Sequence, residues 1–291
     1  MTTMRDSINE TRRLVYGSMS EQVNLLSENY YAGTDVLVMQ LDVTGITPGM
    51  VLSSGLNVWW VKEVAAATKT VYVIPSWEGS YNDDVPVNSV VMIRPRATDW
   101  FLFNEVNRAI MQMSSRTKGL YRVGHETARS EFGKWGVFSV SPAAESILAI
   151  RVSPSWQQSG TVQLQDRDWR WNSRTGEIRI LNPSYSWVNE ISVMFRGAFS
   201  PAVALDIDLA AQCGMAPSME DIPALGAAAN LLLTTEGRRG QLSAQSDPRK
   251  AAEVVAGSNA SAAREMRRQY DARIDDEYIR LVNANPYKIS I

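Results

Sequence analysis

Few residues in this chain have the types and spacings that perform chemistry. The one histidine, His125, is a candidate general base, but no residue near it in sequence would orient an imidazole. The one cysteine, Cys213, sits in Gln212-Cys213-Gly214-Met215 without an assignable histidine, the pattern of a small buried thiol rather than of a nucleophile. With one cysteine and one histidine there is no internal disulfide framework, multi-thiolate metal centre or His-rich metal site. Asp166 and Asp168, and again Asp206 and Asp208, put two carboxylates on one side of an extended strand, where a divalent cation could sit. Such pairs are common on solvated faces, so neither a metal nor a cofactor is expected. The phosphate-cradling Gly-x-x-x-x-Gly-Lys-Ser/Thr loop and the Gly-x-Ser-x-Gly elbow are both absent. The reading is of a protein that is not an enzyme.

Two other groups of residues are built for contact. Trp156, Trp169, Trp171 and Trp187 fall in one β-rich region, and Trp169 and Trp171, two apart, share a strand face. Exposed, they would form a stacking platform for sugar rings. Buried, they belong to a core or subunit interface, where large aromatics concentrate, and that reading carries more weight. The second group is the charge on a helix at 264–282. Arg264, Arg267, Arg268, Asp271, Asp275 and Asp276 stand away from its stripe of Met266, Tyr270, Ile274, Tyr278 and Leu281. They suit subunit-to-subunit ion pairing, or are an ordinary solvated face.

Composition narrows the partners. Lysine and arginine number 29 against 31 acidic residues, and a protein that grips the nucleic-acid backbone carries a clear basic excess. Residues 1–9 lack the apolar core of a signal peptide, and no apolar run approaches the 18 or so residues of a membrane span. The expectation is synthesis in the cytoplasm and no membrane partner.

The elements are read from period and punctuation. Thr3 to Asp6 has the form of a capping box for a helix ending near Gly17, and a short helix or turn is expected over Glu21–Leu26. From Asp35 the period becomes two, with Leu37, Met39, Leu41 and Val43 alternating. Further strands at Val58–Val64, Thr70–Ile74 and Ser89–Ile93 complete a small barrel. Arg94-Pro95-Arg96-Ala97-Thr98-Asp99 then launches a helix striped by Phe103, Val106, Ile110 and Met113. Trp100 and Phe101 lie off the stripe, and Pro95 biases Arg94 towards extended backbone. Strands at 137–139, 147–152, 162–164, 178–180 and 191–195, with a hairpin turn Ser173-Arg174-Thr175-Gly176, predict a β-sandwich. Beyond Pro201 come a short helix at 203–211 and a capping box Ser218–Asp221 opening a helix that Gly237 and Gly240 end. A helix follows Asp247-Pro248, then comes the helix at 264–282.

The expected fold is thus α+β: a discontinuous helical body with an inserted small β-barrel and an inserted β-sandwich. Its parts are an N-terminal helical segment (1–32), barrel (33–97), central spine helix (98–116), sandwich (117–200), C-terminal helical segment (201–282) and an extended tail (283–291).

Val90-Val91-Met92-Ile93-Arg94-Pro95-Arg96, followed by Phe101-Leu102-Phe103-Asn104-Glu105-Val106-Asn107-Arg108-Ala109-Ile110, resembles the neck proteins of tailed bacteriophages. There a small barrel closes on a similar strand and leads into a similar helix. The helix-rich C-terminal third, with its Arg-, Asp- and Tyr-dense helix and extended tail, is similar to that of head-to-tail connector (adaptor) proteins. The resemblance implies a structural protein of the virion neck, made in the host cytoplasm and forming a dodecameric ring beneath the portal protein. DNA would pass through the channel without sequence-specific binding, and a downstream neck, stopper or tail-completion protein would dock below. The C-terminal segment would reach into the portal, with Tyr287, Ile289 and Ile291 docking by strand addition or in an apolar groove. The alternative is a carbohydrate-binding module of a phage tail or baseplate, using Trp169 and Trp171.

Overall fold

The computed structural model describes residues 2–17, 21–75, 83–115, 119–130, 134–141, 143–153, 161–243 and 258–284. It is mixed α and β, with three apolar cores among these residues. Helix α1 (Met4–Tyr16) begins at the expected capping box. The Thr3 hydroxyl accepts from the Asp6 N–H at 3.2 Å, and the Asp6 carboxylate accepts from the Thr3 N–H at 2.9 Å. Met4 and Ile8 are buried on one face, and Val15 packs against the same core.

The segment expected as a helix or turn at 21–26 is instead strand β1 (Gln22–Leu25). Asn24 helps to hold the strand in place. It is buried, and its side-chain carbonyl accepts from the N–H groups of Leu25 and Leu41 while its amide donates to the Asp42 carbonyl. Strands β2 (Val36–Val38), β3 (Val51–Ser54), β4 (Asn57–Ala65), β5 (Thr70–Pro75) and β6 (Val90–Ile93) follow. They form an antiparallel sheet in the order β1-β6-β3-β4-β5-β2.

The sheet curls into a half-barrel. Its edge strands touch where Leu26 faces Met39, with Ser27 N–H donating to Val38 and Gln40 N–H donating to Leu25, each at 2.8 Å. Leu37, Leu52, Trp59, Val61, Val71, Val73 and Val91 fill the inside, and Tyr30 meets the Trp59 ring edge-on at 5.1 Å. β2 is shorter than the alternation predicts, and Leu41 faces solvent because the strand has ended.

Arg94 leaves the sheet with φ +49°, not the extended backbone that a following proline favours. Its N–H donates to the Val51 carbonyl, which holds this turn into the next helix. Helix α2 (Asp99–Ser114) starts where the Thr98 hydroxyl accepts from the Phe101 N–H. Phe103, Val106, Ile110 and Met113 are all buried as the stripe predicts, and so are Leu102 and Ala109. Trp100 and Phe101 pack as well, so α2 is covered on more than one side.

Strands β7 (Arg122–Arg129), β8 (Val137–Ser139), β9 (Ala144–Val152), β10 (Val162–Gln163), β11 (Trp169–Asn172), β12 (Glu177–Ile180) and β13 (Glu190–Gly197) form two antiparallel sheets. Their orders are β10-β9-β13-β7 and β11-β12-β8. One core takes Ala128, Ile150, Val152, Ile191, Val193 and Phe195 from the first sheet and Phe138, Ile178 and Ile180 from the second. The predicted hairpin turn is present, with Gly176 at φ +69° and its N–H on the Asn172 carbonyl.

The helical elements after β13 differ from the reading in their limits. Only α3 (Leu209–Cys213) forms within the stretch expected as helix from 203, because Asp208 caps it by accepting from the Ala210 N–H. Ser218 lies inside a 3-10 turn and its hydroxyl donates to Glu277, so it builds no capping box. Helix α4 (Ile222–Ser243) passes through Gly237 and Gly240. Helix α5 (Ser258–Ala284) is longer than 264–282, and Asn283 is helical rather than extended. The helix expected after Asp247-Pro248 lies outside the described residues. α1 to α5 meet in one core where Met4, Ile8, Leu102, Ile110, Leu209, Ile222, Ala227, Tyr270 and Ile274 are buried. At Gly226 a methyl group would lie 2.8 Å from the Tyr270 ring and 3.1 Å from Ala109, so α2, α4 and α5 cross there closely.

Candidate functional site

On α5 the six charged residues singled out from sequence divide into two sets. Arg267, Arg268 and Asp271 are engaged within the helix. Arg267 Nε is 3.4 Å from Asp271 and its guanidinium lies 5.2 Å over the Tyr270 ring. Arg268 forks onto Glu265 with two bonds of 3.0 Å, which lowers the Glu265 pKa and raises that of Arg268. The side chains of Arg264, Asp275 and Asp276 are exposed, with no hydrogen bond or ion pair among the described residues. The stripe beneath behaves as expected: Tyr270 and Ile274 are buried, and Met266, Tyr278 and Leu281 are partly covered.

A tighter polar site on the same helix was not legible in the sequence. Glu277 is 5 % exposed. It accepts from the Ser218 hydroxyl at 3.0 Å and has Arg273 and Arg280 each at 3.6 Å. Arg273 also forks onto Asp221 at 2.8 and 2.9 Å and donates to the Ser218 carbonyl, and the Asp221 bond is the first cause of its raised pKa. The i, i+4 spacing of Arg273 and Glu277 is a sequence signal, but Ser218 and Asp221 enter only through the fold. This cluster pins α5 to the start of α4 and is structural.

Trp169 and Trp171 share one face, as predicted, and that face packs against the core of the two later sheets. Both indole nitrogens are buried with no hydrogen-bond partner, so neither ring stands clear of the sheet. Among the described residues, the tryptophans exposed in this part of the chain are Trp135, at 67 %, and Trp187, at 39 %. Trp187 lines a groove of about 300 Å³ with Thr127, Arg151, Asn189 and Ser192. Trp156, like Tyr287, Ile289 and Ile291, lies outside the described residues.

The residues with catalytic chemistry do not converge. His125 is on strand β7 and is exposed opposite Met194. Cys213 is fully buried, and burial first, then Asp208, pushes its pKa up. Asp166 and Asp168 belong to a 3-10 turn rather than a strand, where Asp168 accepts from Gln165 N–H and the Asn182 amide. Asp206 pairs with Arg5 while Asp208 caps α3, so that pair is separated too. No three of His, Cys, Asp or Glu gather into a metal-holding group among the described residues. A groove of about 770 Å³ runs between the half-barrel and the helices, and its charges are largely paired across it, Arg12 with Asp99 and Arg5 with Asp206.

The chain matches no protein-family model and no curated protein.

Proposed function

We propose that this chain is a structural protein of a phage virion, a head-to-tail connector (adaptor). It forms a homo-oligomeric ring, a dodecamer, under the portal, and DNA passes through the ring without sequence-specific binding. The observation that carries the reading is the composition of the helical core. It draws on α1, α2 and α3 to α5, segments separated in sequence by the half-barrel and by the two later sheets. That supports a reading as a discontinuous helical body (1–32, 98–116 and 201–282) with a β-barrel (33–97) and a β-sandwich (117–200) inserted in its loops. β1 crosses from the first of these segments into the half-barrel. Insertions at surface loops cost little stability, so such a body can carry two contact modules outward without losing its own core. On this reading the protein is not an enzyme.

Three further features support the connector. The near balance of 29 basic and 31 acidic residues suits a conduit that DNA must slide through without sticking. The unengaged Arg264 at one end of α5 and Asp275 and Asp276 near the other suit ion pairing between copies around a ring. The tail at 283–291 supplies the portal-docking element, with Tyr287, Ile289 and Ile291 as its apolar contacts. A downstream neck, stopper or tail-completion protein binds the opposite side, in the neck between capsid and tail.

The test is the solution mass of the full chain, alone and mixed with the portal of the same phage. A discrete ring, or a monomer that becomes a ring only on the portal, is expected, and deletion of 283–291 should abolish portal binding. A monomer that ignores the portal overturns the reading. The second reading, a carbohydrate-binding module of a tail or baseplate, has one observation in its favour: an exposed tryptophan in a polar groove, although at Trp187 rather than at Trp169 and Trp171.

A further inference from the structure

We infer that the groove beside Trp187 is a carbohydrate-binding site, which takes a pyranose face against the indole and its hydroxyls along a row of polar side chains. This holds whether or not the chain forms a ring. The row is set by strand register. Thr127 on β7 is opposite Ser192 on β13, and Ser192 is opposite Arg151 on β9. Directly paired residues point to the same side of a sheet, so a hydroxyl, a hydroxyl and a guanidinium stand abreast at steps of about 4.8 Å. All three are exposed, on the face away from the core. None of their side chains has a hydrogen bond or ion pair among the described residues. Together they offer donors and acceptors along a line, which suits the ring of hydroxyls on a sugar.

Trp187, just before β13, lines the same groove, and its backbone is held. Val188 next to it is buried, its N–H donates to the Tyr185 carbonyl, and the Tyr185 N–H donates to Asn182. The Asn182 amide in turn donates to Asp168, and Ser130 N–H donates to the Asn189 carbonyl on the other side. A platform fixed before the ligand arrives loses little freedom on binding. An exposed indole has a flat apolar face, and the C–H face of a pyranose is its complement. The ionic character of the groove argues for a sugar over a nucleic acid. Among the described residues that line it, Arg151 is the one cation, while the lining carboxylate of Glu190 is tied to Arg129 at 3.0 Å. A strand of phosphates needs several. The groove of about 300 Å³ has room for one or two sugar units.

Trp187→Ala, Arg151→Ala and Trp169→Phe variants of the full chain, each checked for native circular dichroism, should be compared with the parent by isothermal titration. The probes are maltohexaose, cellohexaose, chitohexaose and a hyaluronan hexasaccharide, with oligothymidylate as the competing class. At least one sugar should bind the parent. Trp187→Ala should weaken it by about tenfold or more, Arg151→Ala by a smaller factor, and Trp169→Phe not at all. If no sugar binds the parent, if oligothymidylate alone binds, or if binding survives folded Trp187→Ala, the inference is wrong. Should Trp187→Ala fail to fold, Arg151→Ala decides, since unchanged sugar affinity there removes the polar row from the site.

Discussion

At the scale of single residues, the close contacts of this fold fall where a side chain is missing. Gly124 on β7 is opposite Phe195, and a methyl group there would lie 2.4 Å from the Phe195 ring. Phe195 is buried in the core of the later sheets, so its ring and the neighbours it packs on must shift to admit the methyl. Gly124→Ala should therefore cost about 1–3 kcal/mol, read as a lower midpoint in urea unfolding with unchanged m. Asp6 gives a prediction in pH. The Thr3 backbone N–H, and then its hydroxyl, hold this carboxyl below the usual aspartate range. A depressed folded-state value contributes stability above the unfolded value of about 3.9, and that contribution is lost as pH falls through the folded value. The gap in Tm between the parent and Asp6→Asn should thus be steady near neutrality and close as pH drops below the ordinary aspartate value. A gap that stays open in acid would remove the capping carboxylate from the account.

Among the elements, α5 depends most on contacts distant in sequence. Its 27 residues include a dense run of charge of both signs, and in isolation such a helix would be marginal. Tyr270 and Ile274 bury it against the other helices, and Glu277 fixes its rotation by receiving Ser218 while flanked by Arg273 and Arg280. Glu277→Gln keeps the shape but leaves these donors facing a neutral amide. It should cost about 1–3 kcal/mol, with hydrogen exchange rising first in α5 and at the start of α4. Unchanged exchange in α5 would mean that the apolar stripe alone holds the helix. The sequence showed this stripe, because a 3.6-residue period survives without knowledge of its partner. It did not show the Glu277 cluster as a whole, because Ser218 and Asp221 lie more than fifty residues before Glu277.

For the whole molecule, assembly is the open variable. Arg264 and the Asp275–Asp276 pair are separated by about 17 Å along α5, too far to meet within one helix. In the proposed ring they would meet across copies. Arg264→Glu should release subunits, more so at low protein concentration, and adding Asp275→Arg with Asp276→Arg should restore the ring mass in light scattering. Rising salt should weaken the parent ring, since such pairs are solvent-exposed. If charge reversal leaves the mass of a ring untouched, this face of α5 takes no part in the contact.

What the sequence determined by itself is whatever local chemistry dictates. The Thr3–Asp6 box, the α2 stripe and the hairpin from Trp169 through Gly176 to Ile180 all depend on neighbours within a few turns or one tight turn. Tertiary structure decided the rest. Gln22–Leu25 becomes a strand because Val90–Ile93, nearly seventy residues later, pairs with it. Arg122–Arg129 becomes one because β13 covers its inner edge, although its run Arg-Val-Gly-His-Glu-Thr-Ala-Arg carries almost no apolar alternation. Arg94 takes a left-handed backbone because the sheet must turn into α2 there. The tryptophans divided in the same way. Spacing gave Trp169 and Trp171 a common face, but only the opposing sheet could say that this face packs on a core, while Trp187 is 39 % exposed. Period reports which residues share a side, and burial depends on what the rest of the chain brings to that side.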